Sequence, residues 1–229
     1  ADRAFARTNV DPFPRLDTSN PSSALGPGFA GSVKPDLLLP GAREHLRVTA
    51  SGNGAAIRVA PGRPSRGAGL KVAAPPSGQG LEGAESYTNG TSAATSLASR
   101  TAHRIHDALE AAYGEVFLRV PARQRAVLLK ALLVHPGRWP DATASFVRRL
   151  LGPHGRGQAP RQKDNIRRFV GYGPVDPDEA VSCAADRATF WATGELGPEQ
   201  RLAVSVPIPV AYGGKTVPHS LSATLAWFT

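Results

Sequence analysis

The segment Asn89-Gly90-Thr91-Ser92-Ala93-Ala94 joins a turn-forming Asn-Gly pair to two hydroxyl residues, directly ahead of a run with helical periodicity. A serine in the first turn of a helix lies where unpaired backbone N–H groups and the positive end of the macrodipole converge. That place suits a nucleophile whose attack on a carbonyl generates an oxyanion, because the serine's own N–H can donate to the new charge. The same residues also suit simple helix capping by Thr91 or Ser92, and residue types alone leave both readings open. Other chemistry-bearing residues are sparse. Cys183, the single cysteine, reads as a small buried side chain. No His/Cys spacing suggests a metal site, and no cluster of carboxylates offers the oxygen cage that calcium takes, so no metal or cofactor is expected.

Three further segments give Ser92 a context. Asn89 to Ala94 resembles the N-G-T-S-x-A nucleophile motif of the subtilisin-like serine proteases (subtilases), with Ser92 at the catalytic position and Asn89, Gly90 and Thr91 as the turn that presents it. Lys34-Pro-Asp-Leu-Leu-Leu-Pro-Gly41 resembles the K-P-D-hydrophobic-x-A-P-G strand of that family, with Leu39 where alanine is usual. Gly171-Tyr-Gly-Pro-Val-Asp176, followed by Ala180, is similar to the G-x-G-x-hydrophobic-[ND] segment that closes the subtilase catalytic domain, and Pro21-Ser22-Ser23 through Gly28 to the F-S-S-x-G-P turn, with Pro21 replacing the aromatic. The resemblance covers about residues 15–183. It implies an α/β fold: residues 1–184 as the C-terminal half of a subtilisin-like parallel-sheet domain with packed helices, carrying a strand-rich insertion at 42–88. The tail (ATFWATGEL, LAVSVPIPV, LSATLAW) resembles the start of the β-sandwich appended to some large bacterial subtilases, so residues 185–229 are expected to begin a partial antiparallel sandwich. The implied activity is serine-type endopeptidase, acting on polypeptides through an acyl-enzyme.

The departures from the family are as informative as the matches. Subtilase triads run Asp, His, Ser along the chain. Upstream of Ser92 there is one histidine, His45, and its neighbours Glu44 and Leu46 do not match the family's His-Gly-Thr. Asp17-Thr18-Ser19 reads as a turn, His154-Gly155 follows the serine, and neither Asn53 nor Asn89 stands in the A-A-G-N context of the oxyanion asparagine. A serine without a base is a poor nucleophile, and losing a triad member costs several orders of magnitude in rate. The expectation is a portion of a subtilase that is inactive alone, with the N-terminal half of the catalytic domain as its partner. The absence of methionine, even at position 1, agrees with a start inside a longer protein. The alternative is a non-catalytic pseudoprotease scaffold or protein-binding module.

The elements that must hold these residues are partly readable. Leu37 to Leu39, between Pro35 and Pro40, suits a buried parallel strand. His45–Thr49, Ala55–Ala60 and Leu70–Ala74 suit short antiparallel strands. Ala94, Leu97, Ala98, Ile105, Ala108, Leu109 and Ala112 recur at helical spacing, predicting a long, largely buried helix over 92–113 that stops at Gly114, with His103 and His106 on its polar flank. Further helices are expected from Pro121 to before His135 and from Asp141 to Gly152. Residues 153–162 read as a linker. Alternation at Thr189–Thr193, Leu202–Ile208 and Leu221–Trp227 predicts three strands, with Trp191 and Trp227 in the core or on a sheet face.

The 229 residues are enough to bury a core, and 41% hydrophobic with 20% charged residues excludes a disordered or collagen-like chain. No apolar run approaches the ~20 residues that span a bilayer, so no membrane partner is expected. The net charge of +9 raises a nucleic-acid reading. The basic residues are dispersed, however, with modest clusters at Arg148-Arg149 and Arg161–Arg168. The second cluster, RQKDNIRR, reads as a solvated connector, so no nucleic-acid partner is expected. One cysteine fits a reducing, cytoplasmic compartment slightly better than secretion.

Overall fold

The computed structural model describes residues 9–50, 57–76, 83–182, 188–206, 213–214 and 221–227. Cys183, Asn53, and the Pro207-Ile208 end of one expected strand lie outside them. The described part is mixed α/β, with six α-helices, a 3-10 turn at Phe29–Gly31 and two small antiparallel sheets. The chain divides into two compact units, residues 1–97 with 138–174, and residues 98–137 with 175–229.

In the first unit, β1 (Asn9–Val10), β2 (Leu46–Ala50) and β3 (Ile57–Pro61) form an antiparallel sheet, with Val48 opposite Val59 and Asn9 opposite Arg47. β4 (Leu70–Ala73) and β5 (Glu85–Thr88) form a separate hairpin, Lys71 facing Tyr87. The strand-like pieces of the 42–88 stretch are therefore strands. The core is a helix pair, α4 (Asp141–Leu151) and α5 (Ala159–Val170). Ala144 and Val147 from α4 meet Ile166, Phe169 and Val170 from α5, residues spaced three and four apart so that each helix turns one apolar face inward. Phe13 closes this core edge-on against Phe146 and Phe169, with ring centroids 5.6 and 6.1 Å away. Thr143 is fully buried, and its hydroxyl donates to the Asp17 carbonyl at 2.9 Å, which satisfies a polar group that would otherwise be costly there.

In the second unit, Ile105 and Leu109 of α1 (Thr91–Tyr113) pack with Phe117 of α2 (Glu115–Leu118) and Leu128 of α3 (Ala122–Val134). Trp191 lies edge-on to Phe117 and Tyr113. Asp176 caps α6 (Pro177–Val181), its carboxylate accepting from the backbone N–H groups of Asp178 and Glu179. Arg104 of α1 pairs with Asp178 at 2.8 Å.

Four expectations are corrected. Leu37–Leu39 is not a strand of a parallel sheet; among the described residues the parallel pairing is one bridge, Leu38 with Pro174. Prolines at 35 and 40 remove the backbone donors that would extend a ladder. Helix α1 runs 91–113 as expected but is not largely buried: Thr101, Ile105 and Leu109 are, whereas Ala108 and Ala112 are exposed. RQKDNIRR is not a connector. It is the body of α5, because Ile166, Phe169 and Val170 supply a buried face that the surrounding charges obscure in the sequence, and the preceding loop is confined to 152–158. Finally, the described parts of the three expected C-terminal strands form no ladder, and Leu202, Val204, Leu221, Leu225 and Trp227 are exposed, Trp227 at 62%. Alternation makes a strand only where a neighbouring strand and a core take up its two sides, and among the described residues neither does so.

Candidate active site

Strand β5 delivers the chain to Asn89-Gly90, and α1 starts at Thr91, so Ser92 is the second helical residue on a strand–turn–helix corner. Gly90 makes the corner possible. Its φ of +117° lies in the region that side chains avoid. Its N–H donates to the Gly41 carbonyl at 2.8 Å. Gly41 is required in turn, since a Cβ there would stand 2.7 Å from the Gly90 oxygen and 3.5 Å from the Ala94 Cβ. The Asn89 side-chain amide donates to the Arg43 carbonyl at 3.5 Å. The P-G end of Lys34–Gly41 thus lies directly against the N-G-T-S turn.

The same segment holds the other motifs. Leu38 N–H donates to the Gly173 carbonyl at 3.0 Å and Tyr172 N–H to the Asp36 carbonyl at 2.9 Å. A Cβ on Gly171 would overlap the Pro35 and Asp36 carbonyl oxygens, and one on Gly173 the Arg138 carbonyl. Trp139 Nε1 donates to the Gly171 carbonyl at 2.8 Å, and Lys34 pairs with the Asp36 carboxylate. The P-S-S…G turn joins from another side: Gly26 N–H donates to the Arg168 carbonyl, and a Cβ on Gly26 would overlap the Lys34 oxygen. Four segments separated by up to about 150 residues of chain meet through their glycines, where only hydrogen side chains let backbones approach this closely.

Two residues missed in the sequence organise this junction. Arg43 fixes the N-terminal strap, its guanidinium donating to the Asp11 carboxylate (3.1 Å) and to the carbonyls of Phe13 (2.9 Å) and Leu16 (3.3 Å), while its own carbonyl receives Asn89. Glu44 is buried, and its carboxylate accepts from both the N–H (3.0 Å) and the hydroxyl (2.6 Å) of Ser22; its N–H donates to Asn20 Oδ1. Nothing periodic marks these residues in the sequence. The one hint is Ser22 in the P-S-S turn.

Ser92 itself is exposed. Its carbonyl accepts from the Ser96 hydroxyl at 3.0 Å, and among the described residues its own hydroxyl has no hydrogen-bonded base. The N–H groups of Thr91, Ser92 and Ala93 belong to the first helical turn, which has no carbonyl partners within the helix, so they are disposed to receive an anion. Thr91 is exposed as well. His45 is half-buried at the margin of the β2–β3 hairpin, its carbonyl receiving the Gly62 N–H. The turn therefore presents an exposed hydroxyl beside the free N–H groups of a helix start, and among the described residues no proton acceptor is hydrogen-bonded to that hydroxyl.

A second group of polar residues lies on the side of α1. One ligand-type atom each from His106, Asp107 and Glu110 comes within 4.8 Å of the others, and His103 approaches Asp107 at 3.7 Å. His106–Glu110 at 3.7 Å and the edge-on contact of His106 with Phe117 account for the group as i, i+4 side-chain contacts on the helix surface over the core.

No protein-family model matches the chain, and no solved structure matches it. A protein of Sinorhizobium fredii described as uncharacterized protein y4bN is 26% identical to it over 218 residues, covering 95% of this chain and 43% of that protein. The chain thus spans less than half the length of this relative.

Proposed function

We propose that this chain carries the nucleophile of a subtilisin-like serine endopeptidase and contributes the C-terminal portion of its catalytic domain. The observation that carries the reading is the meeting of the motif segments: Gly41 against Gly90, and Asp36 and Leu38 against Tyr172 and Gly173. Unrelated stretches that matched the motifs by chance would have no reason to share backbone hydrogen bonds. The parallel bridge of Leu38 with Pro174 agrees with the expected strand direction.

In the proposed reaction Ser92 Oγ attacks the scissile carbonyl, and the Ser92 N–H at the start of α1 donates to the oxygen as it becomes negative. A histidine must take the Oγ proton and return it to the leaving amine, with an aspartate orienting that histidine. The base and its orienter come from a portion of the protein outside this chain, so the chain alone is inactive. Arg43 holds the Asn89 side chain through its carbonyl, Glu44 holds the Ser22 turn, and neither is assigned a catalytic role.

The exposed, baseless Ser92 hydroxyl also favours a second reading, a pseudoprotease in which the same scaffold serves protein binding. Casein hydrolysis separates the two. The complete reading frame should cleave labelled casein, Ser92→Ala should abolish cleavage, and the 229-residue chain should have none. A complete protein that is inactive, or whose activity survives Ser92→Ala, overturns the peptidase reading.

A further inference from the structure

The placement of RQKDNIRR in a helix changes what its charges can do. Residues 148–168 hold seven cations (Arg148, Arg149, Arg156, Arg161, Lys163, Arg167, Arg168) against one carboxylate, Asp164. All seven are exposed. Arg167 pairs with Asp164, and among the described residues the other six side chains have no acidic partner. At 100° per residue, Arg161 and Arg168 fall on the side of α5 opposite the buried Ile166, Phe169 and Val170, with Asp164 beside them, while Lys163 and Arg167 stand on the flank next to Val170; along the chain the last turn of α4 and the loop add Arg148, Arg149 and Arg156.

Helix stability explains part of this. Arg148, Arg149, Arg167 and Arg168 stand in last turns, where the macrodipole favours cations. Arg161 and Lys163 stand in the first half of α5, with no acid in its first turn, and Arg156 in the loop before it. At Arg161, in the first turn, the dipole opposes positive charge, so the helix gains nothing from that cation, and an anionic ligand there would gain from both the cation and the dipole. The polar side chains suited to reading base edges face the other way: Gln162 Nε2 donates to the Pro153 carbonyl at 2.9 Å and Asn165 Nδ2 to the Gly152 carbonyl at 2.8 Å. From Arg161 to Arg168 the helix rises about 10 Å, the run of about three phosphates along one strand of a duplex. Arginine predominates, and its planar fork matches phosphate oxygens.

We propose that the exposed side of the α4–α5 helix pair binds the phosphodiester backbone of duplex nucleic acid without reading its sequence. This stands whether or not Ser92 is a nucleophile. The test is fluorescence anisotropy of the chain with a labelled 20-base-pair DNA of arbitrary sequence, titrated between about 50 and 200 mM NaCl. Binding should fall with a log–log salt slope of about −3 to −5, and a scrambled duplex should bind equally. Arg161→Gln/Lys163→Gln/Arg168→Gln should weaken binding at least about tenfold and flatten the slope by about 3. Arg119→Gln/Arg123→Gln/Arg201→Gln removes the same charge from exposed positions elsewhere and should leave the slope within about 1 of the parent's. Circular dichroism checks that both triple variants remain folded. Absence of binding at 50 mM NaCl, equal loss in the two variants, or tighter binding to poly-glutamate or phosphatidylserine vesicles than to DNA would each overturn the proposal.

Discussion

Substituting Gly41 by alanine tests whether the motif segments form one mechanical junction. The new Cβ would lie 2.7 Å from the Gly90 oxygen and 3.4 Å from the Gly90 carbonyl carbon, both backbone atoms that cannot rotate away. Relief requires the turn to withdraw by about 0.5–0.7 Å, and overpacking of this kind costs about 1–3 kcal/mol. The shift also loosens the 2.8 Å hydrogen bond from Gly90 N–H to the Gly41 carbonyl and moves Ser92 with it. On the proposed function, displacing Ser92 by somewhat under 1 Å should cost the complete protein about tenfold to a hundredfold in kcat/KM. Urea unfolding of the chain, followed by circular dichroism, reads the stability term as a lower midpoint at unchanged slope. Gly194→Ala is the control, because no atom lies within 4 Å of its Cβ position. If Gly41→Ala and Gly194→Ala unfold at the same midpoint, the close approach of Gly41 to Gly90 does not exist and the junction fails with it.

Three other outcomes follow from the same contacts. Glu44→Ala leaves the Ser22 N–H and hydroxyl without their acceptor beside a buried position and should lower unfolding free energy by about 2–3 kcal/mol, while Ser22→Ala, which keeps one hydrogen bond, should cost about 1 kcal/mol; chemical denaturation checks both. Phe169→Ala opens a cavity between α5 and Phe13 and should cost about 3–5 kcal/mol by the same assay. The hydrogen bond to the Glu85 carboxylate, and then its charge, raise the Lys71 ammonium above its ordinary 10.5; any stabilisation is present below that value and lost as pH climbs through the raised one. Both side chains are more than half exposed, so Lys71→Gln should leave the melting temperature at pH 7 unchanged.

What could be read from the sequence was local. Helices α1, α3 and α4 announce themselves through apolar spacing and through Gly114, Pro121 and Gly152 at their ends, which act on adjacent residues. The β-strands of the 42–88 stretch followed from short apolar pieces between glycines and prolines. Helix α5 was hidden because its buried residues number three among five charged ones and its start abuts a Gly/Pro-rich loop. The C-terminal alternation misled because period two describes a half-buried surface, and a strand also needs a neighbour. Ser92 and its turn were legible as a motif. Arg43 and Glu44 were not, since their partners lie 22 to 46 residues away and are backbone groups or short polar side chains that leave no pattern.

The central claim is that Ser92 is a nucleophile whose base lies elsewhere in the protein. Fluorophosphonate labelling followed by peptide mass mapping measures this directly. The complete protein should be modified at Ser92 and at no other serine, Ser92→Ala should abolish labelling, and the 229-residue chain should remain unmodified under the same conditions. A complete protein that stays unlabelled, or a label that maps elsewhere, would contradict the account.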